Sequence, residues 1–269
     1  MKLKPKLLVA GITCAFSAMS FVASAQTVRI ADQGDALSMD PMSLNETLQL
    51  SVDGNMYEGL TGRNKDLSLA PALATSWKAT SPTVWRFELR KGVTFHDGTP
   101  FTADDVLFSL KRAAASSSDM KTYVNDIKSV TKVSPYVVDV ETKEPFPILP
   151  SLLSTVYIMS KKWCETNHAT EPVDMRKGVE NAASFSENGT GPYRLIERQP
   201  GVRTVVVRND QYWGKIEGNA QKVIFTRRFQ VLSATDLSQW MDAKGWWSEA
   251  SVLANTSSGV CHACVARGR

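Results

Sequence analysis

The chain has 269 residues, 43% of them hydrophobic, with 31 Lys and Arg against 27 Asp and Glu. This length allows a sizeable core in one large or two smaller domains. Charges of both signs are interspersed, which leaves no basic stripe for nucleic acid and no polybasic membrane anchor.

The first residues read as an export signal. Lys2, Lys4 and Lys6 precede an apolar run over 7–22 that is short and rich in small residues. Ala23-Ser24-Ala25 is a cleavage site of the A-x-A type, so a cut after Ala25 and a periplasmic location are expected. The rival reading, lipidation at Cys14, fails locally: Thr13 is a poor neighbour for a lipidated cysteine, and the apolar run would be halved. Cleavage removes three of the 31 basic residues and none of the 27 acidic ones, so the mature chain is close to neutral. It keeps Cys164, Cys261 and Cys264, an odd number that implies no complete disulfide framework.

Residues 28–31 are expected as a short strand and 32–41 as a loop. The spacing of Leu48, Val52, Met56, Tyr57 and Leu60 predicts a helix over 47–60, weakened at Asp53-Gly54. A turn is expected over 62–66 and a short helix or turn over 71–77. Trp85, Phe87 and Leu89 alternate with Arg86, Glu88 and Arg90, the two-residue period of a half-buried strand. Val93 and Phe95 repeat that alternation before a tight turn at Asp97-Gly98. Thr102 is placed to cap a helix with Asp104 and Asp105 in its first turn and Val106, Leu107 and Leu110 on one face.

A second hairpin is expected from 127–133 and 136–141, then at most a short helix within 146–153, bounded by prolines. Tyr157-Ile158-Met159 is a strand candidate ahead of a polar run over 160–177. Asn188-Gly189-Thr190-Gly191-Pro192 reads as a crossing, followed by strands over 193–198, 203–208 and 223–226. Strands and helices mix without regular βαβ alternation, which predicts an α+β fold.

Catalytic and metal constellations are weak. There is no G-x-S-x-G elbow, and His96, His168 and His262 fall in a hairpin, a polar loop and the tail. Asp104-Asp105 is explained by capping, and Gly189-Thr190-Gly191 lacks the lysine and spacing of a phosphate loop. Cys261-His262-Ala263-Cys264 has no second pair of ligands to complete a zinc site. No enzyme activity, metal or cofactor is expected. Trp77, Trp85 and Trp213 are read as packing residues.

The phrases LRKGVTFHDGTPFTADDVLFSLKR, GTGPYRLIERQPG and RNDQYWG resemble the peptide- and nickel-type solute-binding proteins (family 5) of bacterial ABC importers. Further matches are Ser38-Met39-Asp40-Pro41, Met56-Tyr57-Glu58-Gly59-Leu60 and Leu69-Ala70-Pro71-Ala72-Leu73-Ala74, in order over roughly 28–226. The resemblance implies a periplasmic binding protein-like fold (type II, peptide-binding class). Its first lobe would comprise 26–57 and 186–226, with an inserted domain over 58–185. It implies a peptide or other small solute as ligand and inner-membrane permease subunits as partners, and it points to Asn45, Glu46 and Thr47 as ligand-binding residues. An alternative for the same residues is that Asn45 caps the following helix and Glu46 is solvated. No part of 227–269 resembles the family. A shifted reading frame near Thr226, a missing C-terminal lobe and impaired capture are expected, beside the rival of a short variant with its own ending. Weak chaperone-like peptide binding by a secreted fragment, or an exported hydrolase, are the alternative functions.

Overall fold

The structure is a computed structural model that describes residues 26–227. The export signal, Cys14, the Cys261–Cys264 motif and the tail lie outside the described residues.

The alternating strand β5 (Val84–Leu89) lies inside a four-stranded antiparallel sheet of order β4-β5-β7-β6, with β4 at Ala74–Ser81, β6 at Ile127–Ser134 and β7 at Val137–Thr142. Its buried Phe87 stands opposite Trp77 of β4 and Val138 of β7. On the other face Arg86 stands opposite Asp139 and donates two bonds to its carboxylate at 2.7 Å each. The alternation therefore separates an apolar face from a charge-paired one.

Helix α2 (Ala103–Ala113) packs on this sheet through the buried residues Val106, Leu110 and Ala113. Its entry is fixed by Asp105, whose carboxylate accepts the Thr102 main-chain N–H (2.9 Å) and hydroxyl (3.2 Å). The other oxygen of Asp105 accepts the Lys161 N–H at 2.9 Å, so the same side chain ties α2 to α5 (Lys161–Thr166).

A second sheet has the order β1-β10-β9-β8, built from β1 (Gln26–Asp32), β8 (Tyr193–Gln199), β9 (Arg203–Arg208) and β10 (Ala220–Arg227). Its β1–β10 pair is parallel and the others antiparallel. Val206, Val223 and Tyr193 from this sheet join the same apolar cluster as Leu60, Phe87 and Val140, so one core runs through both sheets. The remaining elements include α1 (Thr47–Asp53), a small ladder of β2 (Thr61–Arg63) and β3 (Leu69–Pro71), and the short helices α3 (Lys121–Val124) and α4 (Leu149–Leu152).

Several sequence expectations are corrected. The helix expected over 47–60 ends at Asp53. Beyond it the carbonyls of Asn55 and Met56 accept N–H groups from Tyr193 (3.0 Å) and Gly191 (2.8 Å), a long-range pairing that replaces the helical one. Met56, Tyr57 and Leu60 are buried all the same. The segment read as a short helix or turn over 71–77 is largely strand β4, held by the ladder to β5. Val93 and Phe95 flank a single bridge, Thr94 to Pro100, rather than a strand, although the turn forms with Gly98 at φ +82°. Tyr157-Ile158-Met159 is irregular: Ile158 N–H goes to the Glu58 carbonyl and Met159 N–H to the Ser109 hydroxyl, each at 2.9 Å. Helix α5, capped by the Ser160 hydroxyl at 3.2 Å, lies in what reads from sequence as a polar run.

The crossing at 188–192 is where glycine is required. A Cβ on Gly189 would stand 1.9 Å from the Met56 carbonyl oxygen, whereas one on Gly92, at φ +76°, meets nothing within 4 Å. Gly189→Ala is expected to cost about 3 kcal/mol, since main chain must move, and Gly92→Ala about 1 kcal/mol for the left-handed conformation. Urea denaturation of both variants checks the order; equal losses would show that the crossing yields freely.

Candidate ligand-binding loop

The loop over 33–46 joins β1 to α1 and is held by the side chains of Arg198, Gln49, Tyr57 and Arg112. At its start, the buried Arg198 of β8 donates to both oxygens of Asp35 (3.0 and 2.9 Å), to the Thr204 hydroxyl (2.8 Å) and to the Ala36 carbonyl. The Gly201 N–H adds a 2.7 Å bond to Asp35. Next, Gln49 of α1 brackets Ser38: its Oε1 accepts the Ser38 N–H (3.3 Å) and its amide donates to the Ser38 carbonyl. Met39 donates to the Ser184 carbonyl (3.1 Å) and accepts from the Tyr57 hydroxyl (3.2 Å).

The deepest anchor is Asp40. Its carboxylate accepts two bonds from Arg112 of α2 (2.7 Å each), the Val173 N–H (2.9 Å) and the Met42 N–H (3.1 Å). Arg112 also donates to the carbonyls of Ala169 (3.1 Å) and Glu171 (3.0 Å). Both side chains are fully shielded from solvent. Such a pair is tolerable only because almost every donor and lone pair is used. Burial opposes the guanidinium charge, but Asp40 outweighs it and holds the Arg112 pKa above its usual value.

Between these anchors the main chain over 35–37 belongs to no ladder, with Asp35 half-buried, Ala36 buried and Leu37 exposed. Within the described residues the Asp35 and Leu37 carbonyls and the N–H groups of Asp35, Ala36 and Leu37 meet no partner. Leu37 projects outward, 54% exposed. A rigidly held strip of unpaired main chain can accept an extended ligand as an added strand.

Asn45 and Glu46 lie at the far end of the same loop and Thr47 opens α1, all three exposed. Asn45 accepts from the Tyr123 hydroxyl at 3.3 Å. The helix cap is Glu46, whose carboxylate takes the Gln49 N–H at 3.2 Å, so the alternative in which Asn45 caps the helix is corrected. The residues 35–37, Gln49 and Arg198 were not singled out from sequence. The Asp35–Arg198 contact joins positions 163 apart, and no local pattern announces it. Trp85 and Trp213 are packing residues with bonded indoles, to the Phe146 carbonyl (3.2 Å) and Glu58 (2.8 Å), and Trp77 is half-buried against the core.

Asp53, under the loop, is wholly buried. Burial pushes its carboxyl well above the usual range, with the Asp40 charge adding to the rise and the bond from Gln49 (2.7 Å) opposing it. Its Oδ1 has no hydrogen-bond partner among the described residues.

A family profile for bacterial extracellular solute-binding proteins, family 5 (middle), matches residues 68–229. The chain belongs to this family. It is 26% identical over 256 residues to the periplasmic murein peptide-binding protein MppA of Escherichia coli, an alignment covering 85% of this chain and 45% of that protein. It is 31% identical over 212 residues to the glutathione-binding protein GsiB of Pectobacterium atrosepticum, covering 77% and 39%. Among solved structures it resembles NikZ of Campylobacter jejuni in complex with Ni(L-His), with TM-score 0.66, 23% identity and coverage of 81% and 42%. The unliganded open form of MppA gives TM-score 0.66, 24% identity and coverage of 81% and 44%. The fold is therefore that of the periplasmic binding proteins, α+β as the sequence predicts. The chain spans less than half the length of these relatives.

Removing Arg112 leaves Asp40 buried without its partner. Arg112→Met is expected to cost roughly 3–5 kcal/mol, and Arg112→Lys to recover little because an ammonium cannot reproduce the fork. Arg86→Met, at a pair with 35% and 21% side-chain exposure, is expected to cost at most about 1 kcal/mol. Urea unfolding of the three variants tests the contrast, and a loss at Arg112 no larger than at Arg86 would remove the anchor's importance.

A raised Asp53 pKa gives folding a contribution that is full below the unfolded value, near 4, and is lost as pH rises through the folded value. The stability of the native chain relative to Asp53→Asn is accordingly expected to grow as pH is lowered from 7 toward about 4. A difference that stays flat across that range would show that Asp53 is not the proton-binding group.

Proposed function

We propose that this protein is a periplasmic solute-binding component of an ABC importer, exported by a signal cleaved after Ala25, without enzymatic activity, and that it takes up a peptide or related small solute. The observation that carries the reading is the strip over 35–37, held by Arg198, Gln49 and Arg112 with main-chain groups free. Family membership supports the solute-binding role. MppA is named for murein peptide and GsiB for glutathione, and both names favour a ligand with peptide groups that can pair with such a strip.

In this reading the sheet of β1 and β8–β10 with the loop forms the first lobe, from 26–57 and 186–226, and 58–185 forms the inserted domain. Asn45, Glu46 and Thr47 line the outer end of the ligand path. Permease subunits of the inner membrane are the partners that receive the solute. In a two-lobed protein the cleft closes on its ligand from two sides, and in this reading the described residues supply one of its walls.

Weak, unselective peptide binding by a secreted fragment is the second reading. It is favoured by β1, a strand at the edge of its sheet with Val28 39% and Ile30 41% exposed.

Calorimetric titration of the full chain with a mixed di- to pentapeptide library, glutathione and nickel–histidine separates the cases. Saturable binding of a peptide or glutathione is expected. Leu37→Pro, which removes one open N–H, is expected to weaken it about tenfold, equivalent to ~1.4 kcal/mol. Asn45→Ala and Thr47→Ala are expected to weaken it less. No saturable heat with any probe would sink the solute-binding reading. Binding that is unchanged by Leu37→Pro and indifferent to sequence would favour the second one, and release of cleaved products would reveal an enzyme.

A further inference from the structure

The hairpin over 93–101 and the crossing over 187–192 meet at a buried charge that neither the fold class nor solute binding explains. His96 Nδ1 lies 2.9 and 2.8 Å from the two oxygens of Glu187, and Nε2 lies 3.0 Å from the Gly191 carbonyl oxygen. The side chains of His96 and Glu187 are 6% and 2% exposed. A carbonyl only accepts. Both Glu187 oxygens are already occupied as acceptors, Oε2 by the Gly189 N–H (2.7 Å) and Oε1 by the Leu195 N–H (2.9 Å). Facing an ionised Glu187 and a carbonyl, each ring nitrogen donates, and an imidazole with two donors is an imidazolium.

The surrounding main chain depends on the same unit. His96 N–H bonds the Gly189 carbonyl (2.9 Å), and the Asp97 N–H bonds Asn188 Oδ1 (3.0 Å). The Gly191 carbonyl takes a further 3.2 Å bond from Asn209. The charged groups around the ring are few. Glu187 and Arg194 come from the crossing and β8, and Asp97 comes from the hairpin with its carboxylate turned onto Thr99. On the α1 side Asp53 and Tyr57 face Glu187.

We infer that His96 is a proton-dependent clasp: as an imidazolium it locks the 93–101 hairpin onto the 187–192 crossing, and on losing its proton it releases that junction. A neutral ring can donate from one nitrogen only, so either the Gly191 carbonyl or Glu187 loses its bond in a site closed to water. Burial disfavours the charge and Arg194 opposes it, but the bond to Glu187, that carboxylate's charge and the Gly191 carbonyl together hold the pKa above the usual histidine value. The clasp's contribution to stability is thus complete below the ordinary histidine range and is lost as pH rises through the raised value.

The clasp is tested on the full chain by nitrogen-15 NMR of the histidine side chains, with His168→Gln and His262→Gln for assignment. At pH 7.5 His96 is expected to show two protonated ring nitrogens and to titrate above the ordinary histidine value, about 6.5. A single-donor tautomer at that pH, or a midpoint at or below that ordinary value, would overturn the inference. Amide hydrogen exchange supplies the conformational arm. Protection at Gly189, Leu195 and Asp97 is expected to fall at least tenfold across the His96 titration relative to amides of the β5–β7 ladder. Unchanged relative protection would leave a charged histidine that clasps nothing, and the inference would fail. His96→Gln, if it folds, is expected to lose the pH dependence of exchange at those three amides.

Discussion

The fork between Arg112 and Asp40 is the contact through which the separate parts of this molecule are placed. One guanidinium reaches the 33–46 loop and the carbonyls at 169 and 171 while rooted in α2. One carboxylate gathers Arg112, Val173 and its own loop. A bare ion pair would not recover the cost of leaving water. Here the surrounding N–H and C=O groups replace hydration almost group for group, and the geometry becomes specific because so few arrangements could do so. The loop inherits that specificity: its path is dictated at Asp40 and Asp35, leaving 35–37 held between fixed ends.

The same economy of polar groups recurs at the other junctions. Glu58 accepts from the Thr190 hydroxyl, the Tyr212 hydroxyl and the Trp213 indole at 2.7–2.9 Å, and Arg90 lies 4.1 Å over the Trp213 ring. Burial raises the Glu58 pKa and these three donors pull it back. Five of the six family-like phrases of the sequence contribute such partners. Asp40 belongs to one, Glu58 to a second, His96, Asp105 and Arg112 to a third, and the glycines at 189 and 191 and the Tyr-Trp pair to two more. What reads along the chain as separate short motifs is, in space, a set of mutually satisfied buried groups.

This explains which elements could be read from sequence and which could not. Strand β5, the Gly98 turn, the entry of α2 and the β6–β7 hairpin rest on local period, turn chemistry and capping, and all four are legible. Helix α1 breaks because Gly191 and Tyr193 claim carbonyls that the helix would use, a competitor more than 130 residues away in sequence. Strand β4 carries small and polar residues, and only its ladder to β5 makes it a strand. At the loop, the sequence reading named Asn45, Glu46 and Thr47 and not the strip over 35–37. An exposed leucine beside a buried alanine carries no chemical signature, and their placement is set by distant anchors.

The parallel pairing of β1 with β10 has a kinetic side. Gln26 stands beside Ala220 and Asp32 beside Arg227, and the Thr226 hydroxyl bonds the Ile30 carbonyl across 196 positions. A chain made from its N-terminus presents β1 first, yet β1 has no ladder partner until nearly all of the described chain has emerged. Loop closure over such a separation slows folding and leaves a bare strand edge waiting. The first strand to appear is therefore the last to be secured, and until then it is the part of the molecule most exposed to pairing with the wrong neighbour.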